Sequence, residues 1–284
     1  MSNAVFKGRK AILGTRHAKE RVIAPVLERA LGIEIVVPPD FDSDAFGTFT
    51  RDVKRAGDQL QAARAKAVAA MDLSGLDLGI ASEGSFGPYR NLPVIPSNLE
   101  LVLLVDRKHG LELQGYHRSF DTNLDGAYVA SVEEALRHAE RWGFPDHGVI
   151  VRDSDESNRH IEKELLTLEA FQASVRERLR VAASGAIYLE TDMRAHRNPT
   201  RMRSIRRAAE NLARNATSLC PACSAPGFAI AEVRGGVPCR WCRAPTDKPR
   251  SALCRCAKCR HEKEELLVGE TELADPGLCS HCNP

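Results

Sequence analysis

The sequence predicts a mixed α/β fold, a largely parallel sheet with flanking helices, followed by a small tail of the four-cysteine ribbon kind. Three observations predict it. Apolar runs of strand length alternate with amphipathic helical stretches through the first hundred residues, a β-α-β-α-β order that argues for parallel pairing under helices. All nine cysteines lie between Cys220 and Cys282, so the chain changes character there. At 284 residues it is too long for one average domain and short for three. The expected division is an α/β domain over 1–197, a connecting amphipathic helix over 198–216 and a paired ribbon domain over 217–284.

In chain order, "KAILG" reads as a short apolar strand and "AKERVIAPVLERALG" as a helix that Gly32 stops. "IEIVV" is a second strand. An acidic loop follows, in which Asp40, Asp42 and Asp44 alternate, but Ala45 and Arg51 stand where a calcium loop needs Gly and Glu. "RDVKRAGDQLQAARAKAVAAM" reads as a long helix and "LDLGIAS" as the third strand. "LELVLLVD" and "GLELQGYHRS", separated by "RKH", form an antiparallel hairpin added to that sheet. Ser131 and Glu134 open a helix that Gly143 closes. "HGVIV", a helix near 167–183 and "AIYLETD" complete the domain.

The stretch "YLETDMRAHRNPTRM" concentrates convertible charge. As an extended chain it places Glu190, Asp192, Arg194 and His196 on one face and Leu189, Thr191 and Met193 on the other. Asn198 suits an N-cap and Pro199 the first helical position, with Met202, Ile205, Ala209 and Leu212 as the buried stripe of the helix they open. Arg201, Arg203, Arg206 and Arg207 crowd its first turns, where the helix dipole disfavours cations unless an anion sits there.

In the tail, Cys220 and Cys223 precede Cys239 and Cys242 by fifteen residues, and Cys256 and Cys259 precede Cys279 and Cys282 by nineteen. Each Cys-x-x-Cys turn aims two thiolates at one ion. The spacing predicts two structural four-cysteine zinc sites, taken as consecutive pairs, with Cys254 left over and His261 and His281 as bystanders. Arg240, Arg243, Arg255, Lys258 and Arg260 are placed to offset the thiolate charge.

Overall charge excludes a general polyanion binder, since 40 Lys and Arg meet 38 Asp and Glu. No segment approaches the roughly 18 apolar residues of a membrane span. The expected setting is the cytoplasm, with no membrane partner and with reduced cysteines free to hold metal.

Two further stretches sit where open α/β sheets bind ligands. "GTRHAKE", Gly14 to Glu20, follows the first strand and opens the first helix, where backbone amides favour phosphate. "ASEGSFGP" ends the third strand and offers Glu83 between small residues. With "SEGSFGP", "ETDMRAHRNPTRM" and the cysteine knuckles ending in "CNP", the whole chain resembles an uncharacterised bacterial family. More distantly, residues 10–106 are similar in order to inosine triphosphate pyrophosphatases and Maf-like proteins, carried by the Thr-containing first turn, "GTF" and "ARAKA". That likeness implies metal-dependent cleavage of a pyrophosphate.

The resulting expectation is a magnesium-dependent hydrolase or transferase of a phosphorylated, nucleotide-like compound. Glu83, Glu190 and Asp192 would hold the metal and orient water, and His196 would carry a proton. Thr15, Arg16, His17, Lys19, Ser82, Gly84, Ser85, Arg194, Asn198 and Arg201 would bind the substrate. The alternative is a non-enzymatic adaptor whose zinc tail binds nucleic acid or protein, marked by a basic stripe through Arg201, Arg206, Arg240 and Arg255.

Overall fold

A computed structural model of the chain describes residues 4–39, 58–89, 92–156, 160–269 and 271–283. The acidic loop and the first part of the second expected helix lie outside the described residues.

Five strands form a mixed sheet. They are β1 (Lys10–Gly14), β2 (Glu34–Val36), β3 (Leu78–Tyr89), β4 (Leu92–Asp106) and β5 (Leu111–Ser119), in the order β2-β1-β3-β4-β5. β1 pairs in parallel with β2 and β3, while β3, β4 and β5 are antiparallel neighbours. Helix α1 (Glu20–Leu31) joins β1 to β2, and α2 (Gln59–Ser74) precedes β3. Gly32 ends α1 in the left-handed conformation that only glycine adopts without strain, φ 67°.

Side-chain parity gives this sheet two faces. Ala11, Leu13, Ile80 and Val102 pack against α1 and against α5 (Pro199–Thr217). Ile12, Leu101 and Leu103 pack on the other face, where α2 supplies Ala63, Ala70 and Met71. Helix α5, expected as a connector, is therefore part of the main core, and its Ile205, Ala209 and Leu212 are fully buried. Gly115 of β5 permits this packing, because a Cβ there would lie 2.3 Å from the Leu212 nitrogen. Two asparagines of α5 also occupy the sheet edge: Asn211 accepts from the Tyr116 amide at 2.9 Å, and Asn215 donates to the Gln114 carbonyl at 2.7 Å. These side chains take hydrogen-bonding groups that a further strand would need.

Later strands accordingly form a second, antiparallel sheet. Its order is β6-β9-β7-β8, with β6 Gly126–Val129, β7 Val149–Arg152, β8 Ile161–Glu162 and β9 Ile187–Thr191. Helices α3 (Val132–Arg141) and α4 (Leu168–Val181) cover it, and Val151, Phe171, Val175 and Leu189 fill its separate core.

Two local expectations change. The third strand, expected over "LDLGIAS", runs on through "SEGSFGP" to Tyr89, because β4 pairs with it from Ser82↔Val102 to Pro88↔Pro96. The alternation expected from Leu189 to His196 stops at Thr191, where β9 ends; a 3-10 turn, Ala195–Arg197, then turns the chain into α5. Asn198 caps α5 as expected, accepting from the Arg201 amide at 2.9 Å.

The tail is a three-stranded antiparallel meander, β10 (Phe228–Gly235), β11 (Pro249–Cys256) and β12 (Glu262–Leu266). No helix among the described residues is long and apolar enough to cross a membrane.

Candidate functional site

The expected eight cysteines form two clusters, but not as consecutive pairs. Cys220 and Cys223 join Cys256 and Cys259, and Cys239 and Cys242 join Cys279 and Cys282. Strand count explains the exchange. Each strand carries the chain from one end of the meander to the other, so the knuckle before β10 meets the one after β11, and the knuckle after β10 meets the one after β12. Consecutive pairing would have required a hairpin between the first two knuckles, where the single strand β10 runs.

Sulfurs held about 2.3 Å from a tetrahedral zinc ion stand about 3.8 Å apart. Here Cys220 and Cys259 are 3.7 Å apart, Cys223 and Cys256 3.7 Å, Cys239 and Cys282 3.9 Å, and Cys242 and Cys279 3.6 Å. The two clusters therefore fit two zinc ions. Four sulfurs around one ion would leave no open position, the ligand set of a structural zinc site. Backbone amides approach the thiolates: Ala222 donates to Cys220 at 3.4 Å, and Lys258 and Cys259 donate to Cys256 at 3.3 and 3.4 Å. Two of the expected offsetting cations pair elsewhere, Arg255 with Glu262 at 2.6 Å and Arg240 with Asp275 at 3.6 Å. Cys254 lies outside both clusters on β11, and burial raises its thiol pKa.

The first cluster rests on the α/β part. Gly227 presses on Leu113 of β5, to which a Cβ would come within 2.3 Å, and Ala257 joins the main core.

At the carboxyl end of β1, beside the middle of β3, lies a different concentration of charge. The turn after β1 carries Thr15, Arg16 and His17 into α1, with left-handed backbone at His17 and Ala18, φ 67° and 57°. Lys19, at the N-cap, is buried, and its ammonium donates to Ser82 Oγ at 3.2 Å and to the Ser82 carbonyl at 3.4 Å. No side chain caps this helix end. Burial and then the Arg201 charge lower the Lys19 pKa to about 8, against the opposite pull of Glu83 and Glu100.

Arg201 answers the question its position raised. Fully buried, it donates from Nε to Glu100 Oε1 at 2.9 Å and from Nη1 to the Met193 carbonyl at 2.6 Å. The anion at this helix start is thus Glu100, opposite Gly84 in the ladder. Gly84 makes the room: a Cβ there would lie 2.6 Å from Arg201 Nη2 and 2.7 Å from Glu100 Oε1.

His17 stacks on His196 with ring centroids 4.7 Å apart. Burial, then the neighbouring His196, Lys19, Arg194 and Arg201, depress the His17 pKa to about 3, so the ring is neutral at ordinary pH. The His196 ring nitrogen lies 3.3 Å from Glu164. The first turn and the "ETDMRAH" stretch therefore meet through these two rings.

The three carboxylates expected to hold magnesium do not meet. Glu83 points to the α2 face and pairs with buried Lys66. Asp192 is clasped by Arg194, whose Nη2 lies 2.6 Å from Oδ2 and whose Nε lies 3.1 Å from each oxygen. Glu190 accepts from Arg152 at 3.0 Å. Among the described residues, only the two cysteine clusters bring three or more potential ligands together. Asn198 is spent on capping and on Asn123, 2.9 Å away, and Ser85 lines a cleft.

That cleft, of about 600 Å³, separates the outer half of β3 from the second sheet. Gly84, Ser85 and Phe86 form one wall, and Arg152, Glu190, Asp192 and Arg194 line the other.

Lys66, Glu100 and Arg152 were missed by sequence reasoning. Lys66 had a signal, a lone cation on the otherwise small and buried face of α2 made by Ala62, Ala63, Ala67 and Ala70. Glu100 and Arg152 sit in apolar strand runs where only the fold supplies their partners.

Known proteins place the chain without naming an activity. None of the curated proteins matches it. A family model described as a domain of unknown function, DUF6671, matches residues 66–284, and the chain belongs to that family.

Proposed function

We propose that the chain binds a phosphorylated small molecule at the Thr15–Lys19 turn and acts on it as a hydrolase or transferase. One observation carries this reading: a buried lysine whose charged form is disfavoured stands at the uncapped start of α1, at the carboxyl edge of the parallel strands. An arriving anion would stabilise the charged state of Lys19 and receive the α1 amides.

In this reading Lys19 and Arg16 hold the phosphoryl oxygens, and Arg201, locked by Glu100, adds positive potential from behind. His17 serves as a neutral hydrogen-bonding ring, and His196, beside Glu164, moves a proton. Because Glu83, Glu190 and Asp192 each answer a cation of the chain, the positive charge comes mainly from side chains, and magnesium enters with the substrate's phosphate. Burial of Arg201 also removes it from the basic stripe expected of an adaptor. The zinc tail then serves as a folded support for β5 and α5.

The test is calorimetric titration with sulfate, phosphate and pyrophosphate, with and without magnesium, on the wild type and Lys19→Met. Binding by the wild type and its loss in the variant support the reading; equal binding by both, or binding by neither, overturns it.

A further inference from the structure

The cleft beside the charged turn has a different character from the turn itself. Its volume of about 600 Å³ falls within the roughly 300–1,000 Å³ of small-molecule sites and far exceeds a phosphoryl group. It adjoins the anion site through Gly84, which touches Arg201 and Glu100, and through Arg194, which acts electrostatically on His17. A ligand anchored at the turn can extend into it.

The lining charges say what the extension is. Asp125, Glu190 and Asp192 face the cleft against Arg152 and Arg194, so the cleft offers no excess of positive charge to a second anion. Glu190 stands on β9, next to β7 in the sheet, and its Oε1 is held by buried Arg152 at 3.0 Å. Its other oxygen, Oε2, accepts no hydrogen bond among the described residues. A fixed carboxylate acceptor beside Ile150, Phe86 and Tyr188 matches a flat ring that carries an N–H donor on its edge.

We infer that this cleft binds the base of a nucleotide, with Glu190 Oε2 accepting from a ring or amino N–H and determining specificity. The inference rests on the anion reading above and names its substrate class.

The experiment titrates the full chain with pyrophosphate, ribose 5-phosphate and the four common ribonucleoside monophosphates. At least one nucleotide is expected to bind tenfold or more tightly than ribose 5-phosphate. Glu190→Gln should reduce that preference at least fivefold while pyrophosphate binding stays unchanged. Tyr188→Ala, which removes a ring lining the cleft on the same face of β9 as Glu190, should weaken nucleotides and spare pyrophosphate, and serves if Glu190→Gln does not fold. Pyrophosphate binding without preference for any nucleotide over ribose 5-phosphate, or a preference that both variants leave intact, overturns the nucleobase inference and leaves the anion site standing. Failure of every ligand, pyrophosphate included, overturns the anion reading and this inference with it.

Discussion

The two ends of the five-stranded sheet both bury ions, with opposite consequences for those ions. At the end where β1 and β3 begin, Arg9 holds Asp106 through two hydrogen bonds of 2.7 and 2.8 Å, reaches Asp77 at 2.9 Å, and Asp106 also meets His109 at 2.7 Å. Burial alone would raise the Asp106 pKa, yet hydrogen bonds from Arg9 and His109 bring it below the usual carboxylate range. The Asp106 bond likewise raises the Arg9 pKa. At the end where β1 finishes, the pKa of Lys19 falls to about 8 and that of His17 to about 3. One end satisfies its charges. The other holds a lysine whose charge its surroundings disfavour beside a histidine that they keep neutral, which is the pattern expected of a binding site rather than a brace.

The largest test of this contrast removes the support of the satisfied end. The first cysteine cluster rests there through Gly227 and Leu113, so a strong chelator should release two zinc ions per chain and expose residues 219–283 to proteolysis. Elemental analysis and limited digestion report both; a tail that stays resistant after metal loss would break the assignment. Next, Asp106→Asn should cost about 3 kcal/mol by leaving Arg9 partly unanswered. Urea unfolding measures it, and sulfate binding should not change.

Gly84→Ala should cost about 1–3 kcal/mol by forcing the Arg201–Glu100 pair away from β3. Lys19→Met should behave in reverse, with stability unchanged or raised and sulfate affinity reduced at least tenfold. The smallest effect is a pH dependence. Lys19 binds its proton less tightly folded than unfolded, so its contribution to stability rises as pH climbs through about 8 toward the ordinary lysine value. Sulfate keeps its charge over this range, so its affinity should fall about tenfold from pH 7 to pH 9 as Lys19 loses its proton. Lys19→Met should flatten both profiles; a wild-type profile already flat would show that Lys19 is not the group involved.

What the sequence made legible was local. All eight knuckle cysteines, the Asn198 cap, the glycine stop of α1 and the turn that opens α1 follow from short spacings and known backbone preferences. Their long-range partners did not. A Cys-x-x-Cys pair does not encode which second pair it meets, and Arg201 signalled an anion without disclosing that Glu100 supplies it. Glu83 looked like a ligand because its strand position was right; its parity, visible only once β4 pairs with β3, turns it to Lys66. The face expected through His196 failed because β9 ends at Thr191.

The crossed order of the cysteine knuckles also sets a timetable for synthesis. With consecutive pairs, a ribosome would release a complete metal site as soon as Cys242 emerged. Here the first site waits for Cys259 and the second for Cys282, and sulfur-to-sulfur links span 39 and 43 residues. Each long loop closes only once its second knuckle has emerged, so the entropy cost of each is borne late. The nascent tail thus carries unfilled thiolates until Cys282 emerges, and a chain stopped after β12 would hold one complete set of four sulfurs with Cys239 and Cys242 left without their partners.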